Sequence, residues 1–262
     1  MADFRSLVHG FVFSQAWLAR HYRAFARQLR TQHGIRELVP VAPTRWHRGS
    51  RYFRGRDAED RPLFLKTDGS HRLLANESAA AQALERAGVA SSGHFVPVVR
   101  HDLAAAYPFA AFGWRKARTL GSRPAPLPAA DAEFVAQELW RILEALTAAG
   151  LIHRDLTPEN LLVVEERGRI VRLLLIDFAF AVTRGKAPYD DRLPALDLEH
   201  LGWGFKPAPL RWDDAFSAEL ILRQLAPAPT APTQLVLDRI KEKVGSAVFV
   251  RNPDAKMHAA PA

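Results

Sequence analysis

Ile152 to Val164, IHRDLTPENLLVV, followed by IDFAF at Ile176 to Phe180, is the stretch on which the fold turns. Leu161–Val164 and Ile170–Ile176 are apolar runs around a polar turn at Glu165 to Gly168, which predicts a β-hairpin. Upstream, Asp131 to Ala149 reads as an amphipathic helix. Val135, Leu139, Ile142 and Leu146 share one face, Asp131 and Glu133 stand in the first turn, and Gly150 can stop it. Asp155 and Asn160 therefore lie on a loop that leaves a helix and enters a strand, and Asp177 ends the paired strand. The hairpin brings Asn160 and Asp177 close although 17 positions separate them. An Asp carboxylate and an Asn amide oxygen suit magnesium, which prefers oxygen ligands. Phosphoryl transfer needs that kind of charge neutralisation and a correctly placed hydroxyl, with little covalent help.

These segments resemble the catalytic loop and metal-binding motif of the protein kinase superfamily. The resemblance implies an ATP- and magnesium-dependent transfer to a hydroxyl. In it Asp155 accepts or orients the hydroxyl proton, Asn160 and Asp177 hold magnesium, and His153 packs against the Asp177 turn. The implied fold is α+β and bilobal, with a small antiparallel-sheet N-lobe and a reduced helical C-lobe. Asp197-Leu198-Glu199-His200-Leu201-Gly202 is similar to the family's buried-aspartate helix, so Asp197 is expected to accept hydrogen bonds from the backbone of the catalytic loop, with Arg154 supporting that loop.

In the first half, Val39–Val41, Arg51–Arg54 and Pro62–Thr67 (PLFLKT) read as strands, and residues 71–87 as a helix capped by Ser70. Leu73, Glu77, Ala81 and Leu84 share one helical face, so Glu77 points to the apolar side and wants a partner. Lys66 can provide one. By the family resemblance the Lys66–Glu77 pair also reaches the ATP phosphates, and Gly49 and Ser50 belong to the phosphate-covering loop. The sequence departs from the family in several places. Only Gly49 and Gly55 stand where a glycine-rich loop is expected, Thr157 stands where many serine/threonine kinases carry Lys, and Ala179 follows Asp177-Phe178 in place of Gly. Only 20 positions separate Asp177 from Asp197, with Ala187-Pro188-Tyr189 as a trace of the usual Ala-Pro-Glu end. The chain is thus similar to minimal bacterial and archaeal kinases and to lipopolysaccharide core kinases.

The composition is that of an ordinary globular chain. No apolar run approaches the ~20 residues of a membrane-spanning helix, and cysteine is absent, which fits a reducing cytoplasm. The formal charge of +8 fits an anionic partner, but no aromatic-interleaved basic patch marks a nucleic-acid module. Residues 4–30 contain no acidic residue. Trp17, Leu18, Tyr22, Phe25 and Leu29 recur at helical spacing, with Arg20, Arg23, Arg27 and Arg30 between them. That helix packs on the main domain or, in the sharper reading, lies on an anionic membrane at its inner face or on an acidic partner. Four segments follow: a helical extension over 1–34, an N-lobe over 35–113, a C-lobe over 114–225, and a Pro/Ala-rich linker, short helix and tail over 226–262. Three functions are compatible: a kinase of protein Ser/Thr hydroxyls, including its own; a sugar or lipopolysaccharide-core kinase; and a nucleotide-binding scaffold without catalysis.

Overall fold

PLFLKT alternates, and its two faces go to different places. In the computed structural model Leu63 and Leu65 are buried on one side of strand Pro62–Asp68, and Phe64 and Lys66 stand on the other. The structure describes residues 4–43, 46, 50–68, 73–114, 116–184 and 198–251, the side chains of 4–11 excepted. Gly49, Ser70, Ala187–Tyr189 and Asp197 lie outside the described residues. The fold is α+β and kinase-like, and the chain divides into two compact units, residues 1–78 with 97–115 and residues 79–96 with 116–262.

The first unit is an antiparallel five-stranded sheet. Its strands are β1 (Arg36–Pro40), β2 (Ser50–Arg56), β3 (Pro62–Asp68), β4 (Val98–Asp102) and β5 (Phe109–Gly113), in the order β1-β2-β3-β5-β4. The register sets Phe53 opposite Leu65 and Leu65 opposite Ala111. This row meets α1 (Phe4–His33), whose Trp17, Phe25 and Leu29 are buried in the same core as Trp46, Phe53, Leu65 and Phe109. Gly34, at φ 68°, ends α1, and the Ile35 N–H turns back to the Leu29 carbonyl. Phe25 is fully buried, a contribution of roughly 1.5–3 kcal/mol. The helix expected as an extension over 1–34 is therefore part of this core, and its arginines 20, 23, 27 and 30 face water. The neighbouring row, Tyr52, Lys66 and Ala110, lies on the sheet face away from α1.

Helix α2 (Leu73–Arg86) crosses the boundary between the units after Ser78. In the second unit, α3 (Ala129–Ala148) is buried along Val135, Leu139, Ile142 and Leu146, the face its spacing predicts. It packs on β9 (Arg169–Leu175), which pairs with β8 (Leu161–Glu166), itself paired with β6 (Arg118–Thr119), and on α4 (Asp214–Leu225) and α5 (Ala231–Lys243). Gly150, at φ 64°, stops α3, and β7 (Leu151–Ile152) pairs with β10 (Val182–Thr183). The C-terminal stretch expected as a tail holds one more strand. Val248–Val250 pairs antiparallel with Arg211–Asp213.

Candidate active site

The loop 153–160 hangs between β7 and β8, and hydrogen bonds fix its shape. Asn160 donates its side-chain amide to the Asp155 carbonyl at 2.8 Å and to Asp155 Oδ2 at 2.8 Å. Its N–H bonds the Thr157 carbonyl, and its own carbonyl takes the Ile176 N–H at 3.0 Å. The second bond ties the loop to the strand that delivers Asp177. The other Asp155 oxygen, Oδ1, accepts the Gly202 N–H at 2.9 Å. Burial, and next the Asp177 carboxylate, push the Asp155 carboxyl above the ordinary aspartate range.

Asp177 has left-handed backbone, φ 65° and ψ 69°, and its side chain accepts from the Ala179 N–H at 3.4 Å. Arg154 is also left-handed, at φ 68°. Two non-glycine residues in this sparsely populated region, on facing loops, mark backbone that the surroundings hold in place. The imidazole of His153 joins the two loops and is fully buried. Its Nδ1 accepts the Asp155 N–H at 3.3 Å and its Nε2–H donates to the Ile176 carbonyl at 3.0 Å, which assigns the tautomer. Phe178 stands edge-on to the ring at 4.8 Å. The packing expected of His153 against the Asp177 turn is present. Arg154 donates Nε to the Phe180 carbonyl at 2.5 Å, with its guanidinium 5.3 Å from the Trp212 ring and 5.0 Å from Phe249.

Backbone hydrogen bonds of the kind expected for Asp197 are accepted by Asp214. Asp214 accepts the His153 N–H at 2.6 Å through Oδ2 and the Arg154 N–H at 3.1 Å through Oδ1. It is buried, and that burial pushes its carboxyl up to about 6 in spite of those two donors. Its neighbour Asp213 takes the helix cap instead, accepting from Ala215 and Phe216 N–H. Asp197 lies outside the described residues, but Leu198–Gly202 reaches the loop differently, through the Gly202 N–H on Asp155. A Cβ on Gly202, itself at φ 67°, would stand 2.9 Å from the Arg154 carbonyl, so only glycine fits there. The signal that could have found Asp214 is the doublet Asp213-Asp214 before a helix, where one carboxylate caps and the second must go elsewhere.

In the first unit, Lys66 Nζ and Glu77 Oε1 are 2.8 Å apart, and both side chains are buried. The ammonium also lies 5.5 Å from the Phe112 ring centre. A buried charge pair of this quality is costly to break on one side only. Ser50 opens β2, buried, opposite Asp68 in the β3 ladder. Gly49 lies outside the described residues.

The donor set of the second unit fits a magnesium ion. Asp177 offers a carboxylate. Asn160, with its nitrogen committed to Asp155, offers its amide oxygen. Magnesium takes one or two carboxylates, leaving the remaining positions to water and phosphate. The field that raises Asp155 comes in part from Asp177, and a cation between such groups relieves it. When bound, the ion would neutralise phosphate charge.

Comparison with known proteins follows the same lines. Serine/threonine-protein kinase AfsK of Streptomyces coelicolor is 35% identical over 101 residues, covering 37% of this chain and 12% of that protein. The corresponding kinase of Streptomyces griseus is 34% identical over 101 residues, with the same coverage. Human ribosomal protein S6 kinase alpha-1 is 41% identical over 51 residues, or 20% of this chain and 7% of that protein. The chain thus spans a small part of the length of these relatives. The sequence pattern of one family reaches much further, from residue 12 to residue 184, across α1, the sheet of the first unit, the 153–160 loop and Asp177. The chain belongs to the phosphotransferase enzyme family, APH.

Proposed function

We propose that this phosphotransferase moves the γ-phosphoryl group of ATP, with magnesium, to a hydroxyl, foremost a Ser or Thr hydroxyl of a protein. The carrying observation is the Asp155 carboxylate, held by Gly202 and Asn160 in the field of Asp177, with its proton affinity raised. Such a group orients a hydroxyl and takes its proton. Asn160 and Asp177 are assigned to magnesium. Lys66, fixed by Glu77, is assigned to the ATP phosphates, as are Gly49 and Ser50, the latter at the start of β2. His153 and Arg154 keep the catalytic loop in shape. The protein acceptor is supported by the serine/threonine kinases to which part of the chain is similar. A sugar or glycolipid acceptor is the second reading. Trp203, 71% exposed, follows Gly202, whose N–H bonds Asp155, and offers a flat ring of the kind on which sugars stack. Retention of Lys66, Asp155, Asn160 and Asp177 together weighs against a non-catalytic scaffold.

The test is incubation of the full chain with γ-labelled ATP and magnesium, alone and with protein and glycolipid fractions. Lys66→Met should slow transfer at least tenfold, about the effect of removing one charge from phosphate oxygens in a partly enclosed site. Normal rates in both Lys66→Met and Glu77→Ala would remove the pair from the mechanism.

The exposed arginines of α1 support an anionic partner, either an acidic protein or the inner face of a membrane, where each basic residue contributes about 1 kcal/mol. No helix among the described residues is long and apolar enough to cross a membrane. Sedimentation with anionic vesicles should be strong at low salt, weak at high salt, and lost when Arg20, Arg23, Arg27 and Arg30 become Gln. Unchanged sedimentation of that variant would move the membrane contact elsewhere.

A further inference from the structure

The loop from Asp155 to Asn160 contains no cation of its own, only Asp155, Glu159 and neutral residues. Arg154 is turned to the Phe180 carbonyl and the Trp212 and Phe249 rings. The transition state of phosphoryl transfer spreads negative charge over three oxygens, so a cation near the acceptor side stabilises it. One lysine is built into the segment that touches Asp155. Leu198 to Lys206 is anchored by the Gly202 N–H on Asp155 Oδ1, and by the Trp212 Nε1–H on the Leu201 carbonyl at 3.0 Å. Within it, Lys206 Nζ donates to the carbonyls of Glu199, at 2.5 Å, and Leu198, at 3.5 Å, and lies 5.1 Å from the Trp212 ring centre. No carboxylate among the described residues stands within ion-pair distance of it. An ammonium has three donors and two are used, so a third N–H remains for an oxygen that arrives with the substrate. Partial burial pulls its proton affinity below that of an ordinary lysine, against the opposing pull of the Glu199 and Asp155 carboxylates.

We propose that Lys206 is a catalytic cation of this phosphotransferase, donating to an oxygen of the phosphoryl group in transit beside Asp155. The inference rests on the assignment of Asp155 to phosphoryl transfer made above. In the step, the bond between the γ-phosphorus and its bridging oxygen breaks and a bond to the acceptor oxygen forms. The hydroxyl proton passes to Asp155, ADP leaves, and Lys206 keeps its proton throughout. The cation that the 155–160 loop lacks thus comes from a segment some fifty positions downstream, carried in by the Gly202 contact.

The test uses the full chain, γ-labelled ATP and magnesium, with kcat, KM for ATP and melting temperature read together. Lys206→Met should lower kcat about 100-fold, with KM for ATP changed less than about threefold. Lys206→Arg should keep most of the rate. Adding Thr157→Lys to Lys206→Met, which places an ammonium two positions after Asp155, should recover at least about tenfold. A kcat for Lys206→Met near that of the unsubstituted protein would overturn the proposal. So would a loss that comes with a lower melting temperature and is restored by neither Lys206→Arg nor Thr157→Lys, since that pattern belongs to a strut for the Leu198 and Glu199 carbonyls. Asp155→Asn separates the two levels. If it is inactive while Lys206→Met is normal, the phosphotransfer assignment stands and the Lys206 role falls. If the unsubstituted protein has no magnesium-dependent turnover, both fall.

Discussion

Asp177→Ala is expected to cut magnesium-dependent turnover of ATP by about 1,000-fold while the protein stays folded. The size follows from the task assigned to the side chain. A cation that offsets charge on the transferred group stabilises the transition state more than the ground state, and loss of a single such electrostatic element costs about 100- to 1,000-fold. Asp177 is the carboxylate among the two proposed ligands, so little affinity for the ion should survive its loss. The fold should survive, because Asp177 closes a short turn, Phe178–Phe180, whose Phe178 remains packed on His153 and Phe95. A second readout is independent of turnover. The Asp177 charge raises the Asp155 carboxyl, so in Asp177→Ala the titration of Asp155, followed by carboxyl carbon resonances, should move down. Normal turnover in this variant would sink the metal assignment. An unmoved Asp155 titration would show that burial alone raises that group.

The sequence carried the 153–160 loop and Asp177 plainly because their chemistry is local. The residues that bond one another there are five positions apart or lie across one hairpin, and apolar strands bracket both. Lys66 and Glu77 were legible for a related reason: a carboxylate on the apolar face of a helix demands a cation, and one stood eleven positions away on a strand of the right period. What failed to show was long-range. Asp214 lies 61 positions from His153, and nothing in Asp213-Asp214 says which carboxylate caps the helix and which turns inward. Asp197 stands four positions before Leu201-Gly202, and that spacing does not point to Asp214. The strand Val248–Val250 escaped for another reason. Three residues carry too little periodicity to stand out, and they are extended only because Arg211–Asp213 pairs with them and Phe249 meets Arg154. Helix α1 is legible as a helix with an apolar strip, but the pattern does not say what covers the strip. Phe53, Leu65 and Phe109 do.

Asp214→Asn is expected to produce a stability loss that depends on pH in an unusual direction, together with a loss of activity. Asp214 is enclosed, and its carboxyl is pushed up to about 6 from an ordinary value of 3.8. The folded protein therefore holds this proton more tightly than the unfolded chain does. A raised carboxyl contributes stability that is fully present below the unfolded value and is lost as pH rises through the folded one, so the contribution fades between about pH 4 and pH 6. The size is on the order of 3 kcal/mol, from 1.36 kcal/mol per pH unit. Asparagine cannot ionise and lacks this slope. It keeps one oxygen for a backbone donor but turns an amide N–H₂ toward the other, leaving either the His153 or the Arg154 N–H without its acceptor. A buried donor stranded in this way costs about 1–3 kcal/mol. Relative to the unsubstituted protein, Asp214→Asn should thus be clearly less stable near pH 4.5, and the gap should close toward pH 7.5, where the cost of the buried charge offsets it. Urea unfolding of both proteins across that range measures the difference directly, and the titrations of other carboxylates cancel in it. Activity should not recover with the stability. The two N–H groups in question precede Asp155, and a shift of the loop by a fraction of an ångström misplaces the carboxylate proposed to orient the hydroxyl. A gap between the two proteins that stays constant from pH 4.5 to 7.5 would mean that Asp214 titrates as an ordinary surface aspartate. Full activity in Asp214→Asn would mean that the 153–160 loop is held without it.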